Sequence, residues 1–255
     1  MTATDIAETP QILQPVPGFF IRQAVDNMAW IDMGDYVLVV DALEQAELEQ
    51  EVMDAIKRTA GPAPVRFVLN THTHYDHVAL NDAFRKRFKA EIVSLAASRV
   101  RDEGRWFQGR RRVQMLPMPG CHTDEDCVVW CPDDRILLVG DIFGWGLIPL
   151  VGRLDRSSRT LLESTYRRLI EFDARVVMPG HGPVCTNAEL VRWVKYLGEL
   201  IDSVSAACQA GKSDQEILDQ TAPPPDMHGW WRFLKWKHRD SVEKVLRPVR
   251  RGLLQ

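Results

Sequence analysis

Short apolar runs alternate with polar breaks through the first 70 residues of the chain, a pattern typical of β-strands joined by tight turns. We predict consecutive strands over FFIRQAV (19–25), MAWIDM (28–33) and YVLVVDA (36–42). Apolar residues then recur at helical spacing over residues 44–59, before the strand VRFVL (65–69). The chain therefore opens with an antiparallel meander, followed by one helix and one further strand.

The same alternation of strands and helices continues to about residue 183. The predicted elements are a helix over 78–88, strands over 91–95, 113–118, 127–131 and 135–140, a helix over 156–172 and a strand over 174–178. Helical patterns follow at 188–210, from Ser213, and at 230–249, with the breaker APPPD before the last. Two strand-rich blocks with helices predict an α/β fold, a four-layer αββα sandwich. We expect this domain over residues 1–185 and a C-terminal helical extension packed on it over 186–255.

Composition excludes several classes of protein. A chain of 255 residues with 45% hydrophobic residues can bury a large core, and its formal net charge of -3 gives no reason to expect nucleic acid as a partner. No signal peptide and no run of about 18 apolar residues stands out, so we expect no membrane contact and a cytoplasmic protein. The five cysteines form no C-x-x-C pair, which favours reduced thiols.

Three of the seven histidines lie in the short segment NTHTHYDH, directly after the strand at 65–69. Imidazoles two residues apart at a strand end can point toward one centre, and side chains from the following turn can reach the same point. Zinc binds such mixtures of nitrogen and oxygen ligands at about 2.0–2.2 Å. His72, His74, Asp76 and His77 therefore form a candidate metal site, whereas a polar loop with local hydrogen bonds is the alternative.

Three more candidate ligands follow predicted strands and lie next to or near glycine. They are His122 in PGCHTDED, Asp141 in GDIFG and His181 in PGHGP. Taken singly, Asp141 could cap a helix and His181 could belong to a Gly-Pro turn. Because all three repeat the context of the first cluster, we expect them to complete a site for two cations.

These motifs, in this order, resemble the metallo-β-lactamase superfamily over about residues 18–183. The resemblance implies the αββα fold already expected from the pattern. It also implies that His72, His74 and His122 bind one metal, that Asp76, His77 and His181 bind the second, and that Asp141 bridges them. The stretch from residue 148 to 183, followed by a long helix, is similar to the zinc-dependent hydrolases described as glyoxalase-like.

Two departures from the family pattern matter. Cys121 stands before His122 where relatives usually have glycine, and we expect it to pack as a small apolar residue; a ligand or a redox-sensitive thiol is the alternative. Asp141 holds the bridging position, where several true β-lactamases have cysteine. Antibiotic hydrolysis is therefore not the expected activity.

The expected function is metal-dependent hydrolysis of an ester, thioester or lactone of a small molecule, with two zinc ions per chain, or iron or manganese in their place. A metal-bridging hydroxide would attack the carbonyl. Asp76 is the candidate catalytic residue, since it could orient that hydroxide and pass its proton to the leaving group. Asp41, at the end of a strand, could hydrogen-bond a histidine ligand or simply occupy a turn.

Three alternatives remain open: hydrolysis of a β-lactam or phosphodiester, an iron-dependent sulfur or oxygen oxidoreductase, and a non-catalytic protein that binds a ligand. His74 favours zinc over iron, because diflavin-type relatives carry an acidic residue at that position.

Two segments could shape substrate choice. A basic, aromatic stretch runs from Arg99 to Arg112, and we interpret it as a solvated helix face and loop, with a pocket role as the alternative. The segment MHGWWRFLKWKH (227–238) is rich in tryptophan, and core packing or a homodimer contact is favoured over a pocket lid.

Overall fold

The strands form two mixed sheets in the computed structural model, which describes residues 9–96, 103–149, 152 and 154–254. The first sheet contains, in spatial order, β1 (Gln11–Val16), β2 (Phe19–Gln23), β3 (Met28–Asp32), β4 (Val37–Val40), β5 (Val65–Leu69) and β6 (Glu91–Val93). The second contains β7 (Arg105–Gln108), β8 (Arg112–Pro117), β9 (Cys127–Cys131), β10 (Ile136–Gly140) and β11 (Val176–Pro179), also adjacent in that order.

Helices cover the outer faces of both sheets. The α-helices are α1 (Glu49–Ala60), α2 (Asn81–Phe88), α3 (Arg156–Glu171), α4 (Asn187–Gln209), α5 (Asp214–Gln220) and α6 (His238–Arg250). Short 3-10 turns lie at Ala46–Leu48, Tyr75–His77 and Pro225–Met227, and a short π-helix spans Phe233–Lys237.

The period of two in the strands separates three hydrophobic cores. In β2, Phe19 and Ile21 face the second sheet, whereas Phe20 between them packs against the α1 and α2 side. In β10, Leu138 faces the first sheet and Leu137 faces the α3 to α6 side. Both faces of these strands are thus buried, and the layers stack as helix, sheet, sheet, helix. The predicted αββα sandwich is confirmed.

The helices after residue 186 share the outer core of the second sheet. Thr186 caps α4 in a reciprocal hydrogen-bonded pair with Glu189, which fixes where that helix begins. Trp193 of α4 stacks on Tyr166 of α3 with ring centroids 4.0 Å apart. Among the helices of the described segments, none combines the length and the apolar character needed to cross a bilayer.

Strand direction gathers several loops at one end of the sandwich. β4 runs parallel to β5, and β10 runs parallel to β11. β8 and β10 both pair antiparallel with β9, so they point the same way. The loops that carry the candidate ligands follow β5, β8, β10 and β11, and they meet at this end.

Some sequence expectations about elements were wrong. β1 and β7 were not predicted as strands; β7 lies within the basic stretch taken for a helix face and loop, and it pairs with β8 at the edge of its sheet. The helix predicted from residue 78 begins at Asn81, because a 3-10 turn precedes it. The helix predicted over 230–249 is divided, because Arg232 adopts a left-handed conformation (φ 55°) and a π-helix precedes α6.

Candidate metal centre

The structure brings all seven predicted site residues together at the end of the sandwich. Their donor atoms form two groups, in each of which all atoms lie within 4.8 Å of one another. The members of the first group are His72, His74 and His122, and those of the second are Asp76, His77, Asp141 and His181.

Asp141 connects the two groups. Its Oδ2 lies 3.5 Å from Nε2 of His122 and 3.4 Å from Nε2 of His181. Its Oδ1 lies 3.3 Å from Nε2 of His77. One carboxylate therefore faces donors from both groups, as a bridging ligand would.

The spacing of the donors matches tetrahedral metal coordination. Ligands at about 2.05 Å from a zinc ion are separated by about 3.3 Å along a tetrahedron edge. Nε2 of His122 lies 3.0 Å from Nδ1 of His74, and Nε2 of His181 lies 3.2 Å from Oδ2 of Asp76. Together with the contacts of Asp141, these distances fit two adjacent cations.

In four of the histidines a neighbouring oxygen atom contacts Nδ1, so that Nε2 faces the centre. Nδ1 of His122 lies 2.8 Å from the carbonyl oxygen of Pro149, and Nδ1 of His181 lies 2.9 Å from that of Val25. Nδ1 of His72 is 3.2 Å from the Thr71 hydroxyl. Such outer partners fix the tautomer and ring direction of metal-binding histidines.

Asp41 supplies the outer contact for the fourth histidine. Its Oδ2 lies 3.1 Å from Nδ1 of His77, at ion-pair distance although the approach is poorly directed for a hydrogen bond. Its Oδ1 accepts the backbone N–H of Thr71 at 2.8 Å. Asp41 is fully buried, so its position agrees with the role beside a histidine ligand that the sequence suggested.

Buried polar atoms without partners also point to a missing counterpart at the centre. Nε2 of His72, Nε2 of His77 and Oδ1 of Asp141 are buried and have no hydrogen-bond partner in the described part of the chain. Burying unpaired polar atoms is costly, and an ion is one of the explanations such atoms require. The residues therefore fit a pair of metal ions.

The charges of His72 and Asp141 suit metal ligation, whereas His181 would release a proton when it binds a cation. Burial, with His77 nearby, lowers the pKa of His72 to about 3, so its ring is neutral at pH 7. Burial raises the pKa of Asp141, but His181 and His77 outweigh that effect and hold it well below its ordinary value. Burial lowers the pKa of His181, but Asp141 and Asp76 outweigh it and raise the pKa to about 10.

Gly180 is required by the close approach of two loops. A Cβ atom at this position would lie 2.0 Å from Oδ1 of Asp141 and 2.8 Å from Cε1 of His77. Only glycine lets the backbone before His181 pass the carboxylate that connects the two groups.

Sequence reasoning missed two residues that hold the ligand loops. Nδ2 of Asn27 donates to the carbonyl oxygens of Pro179 and Gly182 at 2.9 and 2.8 Å, which fixes the loop around His181. Asp126 accepts the backbone N–H of His122 at 2.6 Å. Asp126 also accepts those of Cys121 and Thr123. Both residues are buried polar side chains, but no local pattern tells which loop they hold.

A cavity of about 610 Å³ opens above the centre. Its lining comes from the metal-site loops and from the tryptophan-rich segment, and it includes Glu44, Tyr75, Asp76, His122, Asp141, Phe143, His181, Trp231, Arg232, Trp236, Lys237 and Lys244. The segment 227–238 thus forms part of the cavity wall, while Trp230 and Phe233 from the same segment pack into the core.

The basic stretch lies elsewhere. Arg99 and Arg101 fall outside the described residues. Arg105 pairs with Glu91 at 2.8 Å, and the arginines at 110–112 pair with Asp32, Asp134 and Asp133. None of these four arginines lines the cavity. Cys121 is fully buried in the outer core, and burial raises the pKa of its thiol to about 11.

Comparison with known proteins places this site in a family. The sequence profile of the metallo-β-lactamase superfamily matches residues 25–119 and 99–181. A hydroxyacylglutathione hydrolase from Mesorhizobium japonicum is 26% identical over 225 residues, which are 84% of this chain and 83% of that protein. A second, from Methylococcus capsulatus, is 30% identical over 159 residues, 56% of this chain and 60% of that protein.

Solved structures share the fold at low sequence identity. A metallo-β-lactamase from Pontibacter korlensis has a TM-score of 0.60 at 19% identity and covers 74% of this chain and 99% of its own. The profile match extends over more than half of the chain and includes every candidate ligand. The chain therefore belongs to the metallo-β-lactamase superfamily, and it is a metal-dependent hydrolase.

Proposed function

We propose that the seven side chains bind two metal ions, and that the chain hydrolyses a thioester, ester or lactone of a small molecule. The observation that carries this proposal is the meeting of two donor groups at Asp141 on the floor of a large cavity. Similarity to proteins named hydroxyacylglutathione hydrolase supports thioesters as the first class to test.

In this proposal His72, His74 and His122 hold one ion, Asp76, His77 and His181 hold the other, and Asp141 contacts both. Zinc is the metal we expect, because five imidazoles and two carboxylates form the mixed nitrogen and oxygen set that it prefers. Bound there, the cations would supply Lewis acidity, which activates water near neutral pH and polarises a carbonyl group.

Asp76 is the proposed catalytic residue. Although burial raises its pKa, the contact with His181 lowers it below the ordinary value, so the carboxylate is ionised at neutral pH. It lines the cavity, where it can orient a water molecule, accept its proton and return that proton to a leaving group. Asp41 acts one step away by holding the His77 ring in place.

Exposed aromatic side chains in the cavity walls suit the binding of a small-molecule substrate. Tyr75, which precedes Asp76, is 70% exposed, and Trp236 on the opposite segment is 44% exposed. Both line the cavity, and both offer apolar surface to a substrate.

The test combines metal analysis with a substrate panel. We expect close to two zinc ions per chain and turnover of acyl thioesters, lost with chelator and restored with zinc. His74→Ala should reduce kcat/KM by more than about 100-fold, because even outer partners of metal ligands contribute about 10–100-fold. His228→Ala is the matched control, since His228 is an exposed histidine outside the centre.

Other outcomes would contradict the proposal. Stoichiometric iron with oxygen consumption would indicate an oxidoreductase. Turnover of phosphodiesters or β-lactams alone would place the activity in another class. Full metal binding without turnover of any thioester, ester or lactone in the panel would indicate a ligand-binding protein.

A further inference from the structure

Lys237 is the one buried lysine of the chain, whose eight lysines all lie in the described segments. It is 2% exposed, whereas the other seven are exposed or half-buried. It is also a lining residue of the cavity above the metal centre. The proposed hydrolysis gives this amine no role.

The Lys237 amine lies between two other residues of the cavity wall. Its Nζ donates to the carbonyl oxygen of Gly144 at 2.7 Å and lies 4.1 Å from the ring centroid of Trp231. Gly144 and Trp231 both line the cavity, as does Asp141, whose charge acts on Lys237. The amine is therefore beside the space in which an acyl compound would bind above the centre.

No carboxylate in the described part of the chain lies at ion-pair distance from Lys237. Burial, with Arg232 nearby, lowers the pKa of Lys237 to about 7, and Asp141 offsets this only in part. About half of the amine is therefore unprotonated at pH 7, whereas a lysine with the ordinary pKa of about 10.4 is almost wholly ammonium. Desolvation and a neighbouring cation are two means by which proteins make lysine nucleophilic.

We propose that Lys237 is a site of self-acylation: its amine takes the acyl group from a thioester bound in the cavity and becomes an N-acyl-lysine. This inference rests on the part of the proposed function that places acyl thioesters in this cavity. It adds an amine as a second acceptor beside water.

The step transfers an acyl group without oxidation or reduction. The lone pair of neutral Nζ attacks the carbonyl carbon of the thioester, a C–N bond forms and the C–S bond breaks. The thiolate leaves with the bonding electron pair and takes up the proton that the nitrogen loses. One N–H remains on the product amide, and it can donate to the Gly144 carbonyl oxygen, which accepts from the amine beforehand.

Acylation also removes a charge that is costly to bury. The N-acyl product is neutral, so it needs neither a counter-ion nor the desolvation of an ammonium group. The cavity of about 610 Å³ has room for a small acyl group. The surroundings of Lys237 therefore stabilise the acylated side chain better than the charged one.

Peptide mapping by mass spectrometry tests the site in wild-type, metal-loaded protein. The acyl donor is the neutral thioester S-acetyl-N-acetylcysteamine, kept in excess at neutral pH. The unprotonated fraction of Lys237 exceeds that of an ordinary lysine by about three orders of magnitude, whereas lower basicity and restricted access reduce its rate. We expect Lys237 to be acetylated at least about 10-fold faster than any other lysine, although it is the least exposed.

Two lysines of the same chain serve as internal controls. Lys235 is an exposed lysine of the same π-helix outside the cavity, and Lys244 lines the cavity but pairs with Asp240 at 3.1 Å. Lys237→Met should lose the fast acetylation, and Lys235→Met should keep it. Unfolding in urea should abolish the preference for Lys237, because the amine is then solvated.

Acetylation of Lys237 no faster than that of Lys235 in the native protein would overturn the proposal. If Lys237→Met does not fold, the map of the wild-type chain decides, because it compares lysines within one protein. Thiol released beyond the acetyl-lysine formed reports hydrolysis in the same samples. Acetyl-Lys237 without hydrolysis would refute the proposed activity and leave the acceptor standing, whereas hydrolysis without preferential acetylation of Lys237 would refute only the acceptor.

Discussion

Asp41→Asn isolates the contribution of an outer carboxylate to the metal centre. Asparagine keeps the size of the side chain and tolerates the positive φ of 59° at this position. Its carbonyl oxygen can still accept the N–H of Thr71, which Oδ1 of Asp41 accepts at 2.8 Å. Oδ2 also accepts the Thr71 hydroxyl at 3.0 Å, but this hydroxyl lies 3.1 Å from Oδ1 and can donate to that oxygen instead. The change therefore affects mainly the 3.1 Å contact between Oδ2 and Nδ1 of His77.

The size of the effect follows from that contact. In the variant the amide N–H₂ group faces Nδ1 of His77. If Nδ1 keeps its proton, two N–H donors face each other. If the ring changes tautomer instead, a protonated Nε2 points toward the centre. Loss of an outer contact to a metal-binding histidine costs about 10–100-fold in metal affinity, which corresponds to about 1.4–2.8 kcal/mol. Zinc affinity of the variant should therefore fall by about 10–100-fold.

Competition with a chromogenic chelator measures this affinity at fixed pH. Asp54→Asn is the control, since it makes the same substitution at an exposed position of α1. Asp41→Ala should be more severe, because alanine disfavours the left-handed backbone and leaves the Thr71 and His77 donors unpaired. If Asp41→Asn binds zinc within a factor of two of wild type, Asp41 does not orient His77 and the reasoning fails.

Three further predictions address the surroundings of the centre. Asn27→Asp places a carboxylate against the two carbonyl oxygens to which Nδ2 now donates. The free energy of unfolding, measured in urea, should therefore fall by about 3 kcal/mol or more. An unchanged urea midpoint of unfolding would contradict this prediction. Gly182→Ala should lower the free energy of unfolding by about 2–4 kcal/mol, because φ is +80° and a Cβ atom would lie 2.5 Å from the Trp231 ring. Gly198→Ala is the control: a Cβ atom there meets nothing within 4 Å, so the change should raise the free energy of unfolding by about 0.5–1 kcal/mol. In a thiol assay with Ellman's reagent at pH 8, native protein should release at most one equivalent of thionitrobenzoate, from the half-buried Cys208. The other four cysteines are buried, and burial raises their thiol pKa values. All five should react after unfolding, and rapid reaction of Cys121 in the native state would refute its packing role.

Much of the fold and the candidate site was accessible from the sequence because both depend on local signals. Period-two alternation placed the central strands, and polar residues directly after strands placed the seven candidate ligands. Parallel strands bring such residues to one edge regardless of their separation in the sequence. This rule accounts for Asp141 and His181, which follow the parallel strands β10 and β11 of one sheet. His72 follows a strand of the other sheet, and its convergence with them was expected from the repeated strand-end context and from the family resemblance.

The remaining features depend on contacts that no local pattern records. β1 and β7 lie at sheet edges, where only one neighbouring strand reinforces a short run. Asn27 looks like an ordinary turn residue until the loop around His181 is placed beside it. The left-handed backbone of Arg232 and the packing of Phe233 into the core together determine that Lys237 lines the cavity. The sequence pattern shows neither feature, so the aromatic segment could be interpreted equally well as core.

The bond from Asn27 to Pro179 joins residues 152 positions apart, and it ties the first sheet to the loop that ends the second. During synthesis on the ribosome, the seven candidate ligands cannot all come together until the loop after β11 has emerged. That loop must then pack against the hairpin of β2 and β3, which is synthesised much earlier. A partly made chain therefore offers its early histidines only as a loose, incomplete chelate. In the proposed two-metal site, tight binding of metal would therefore require that both halves of the sandwich have come together.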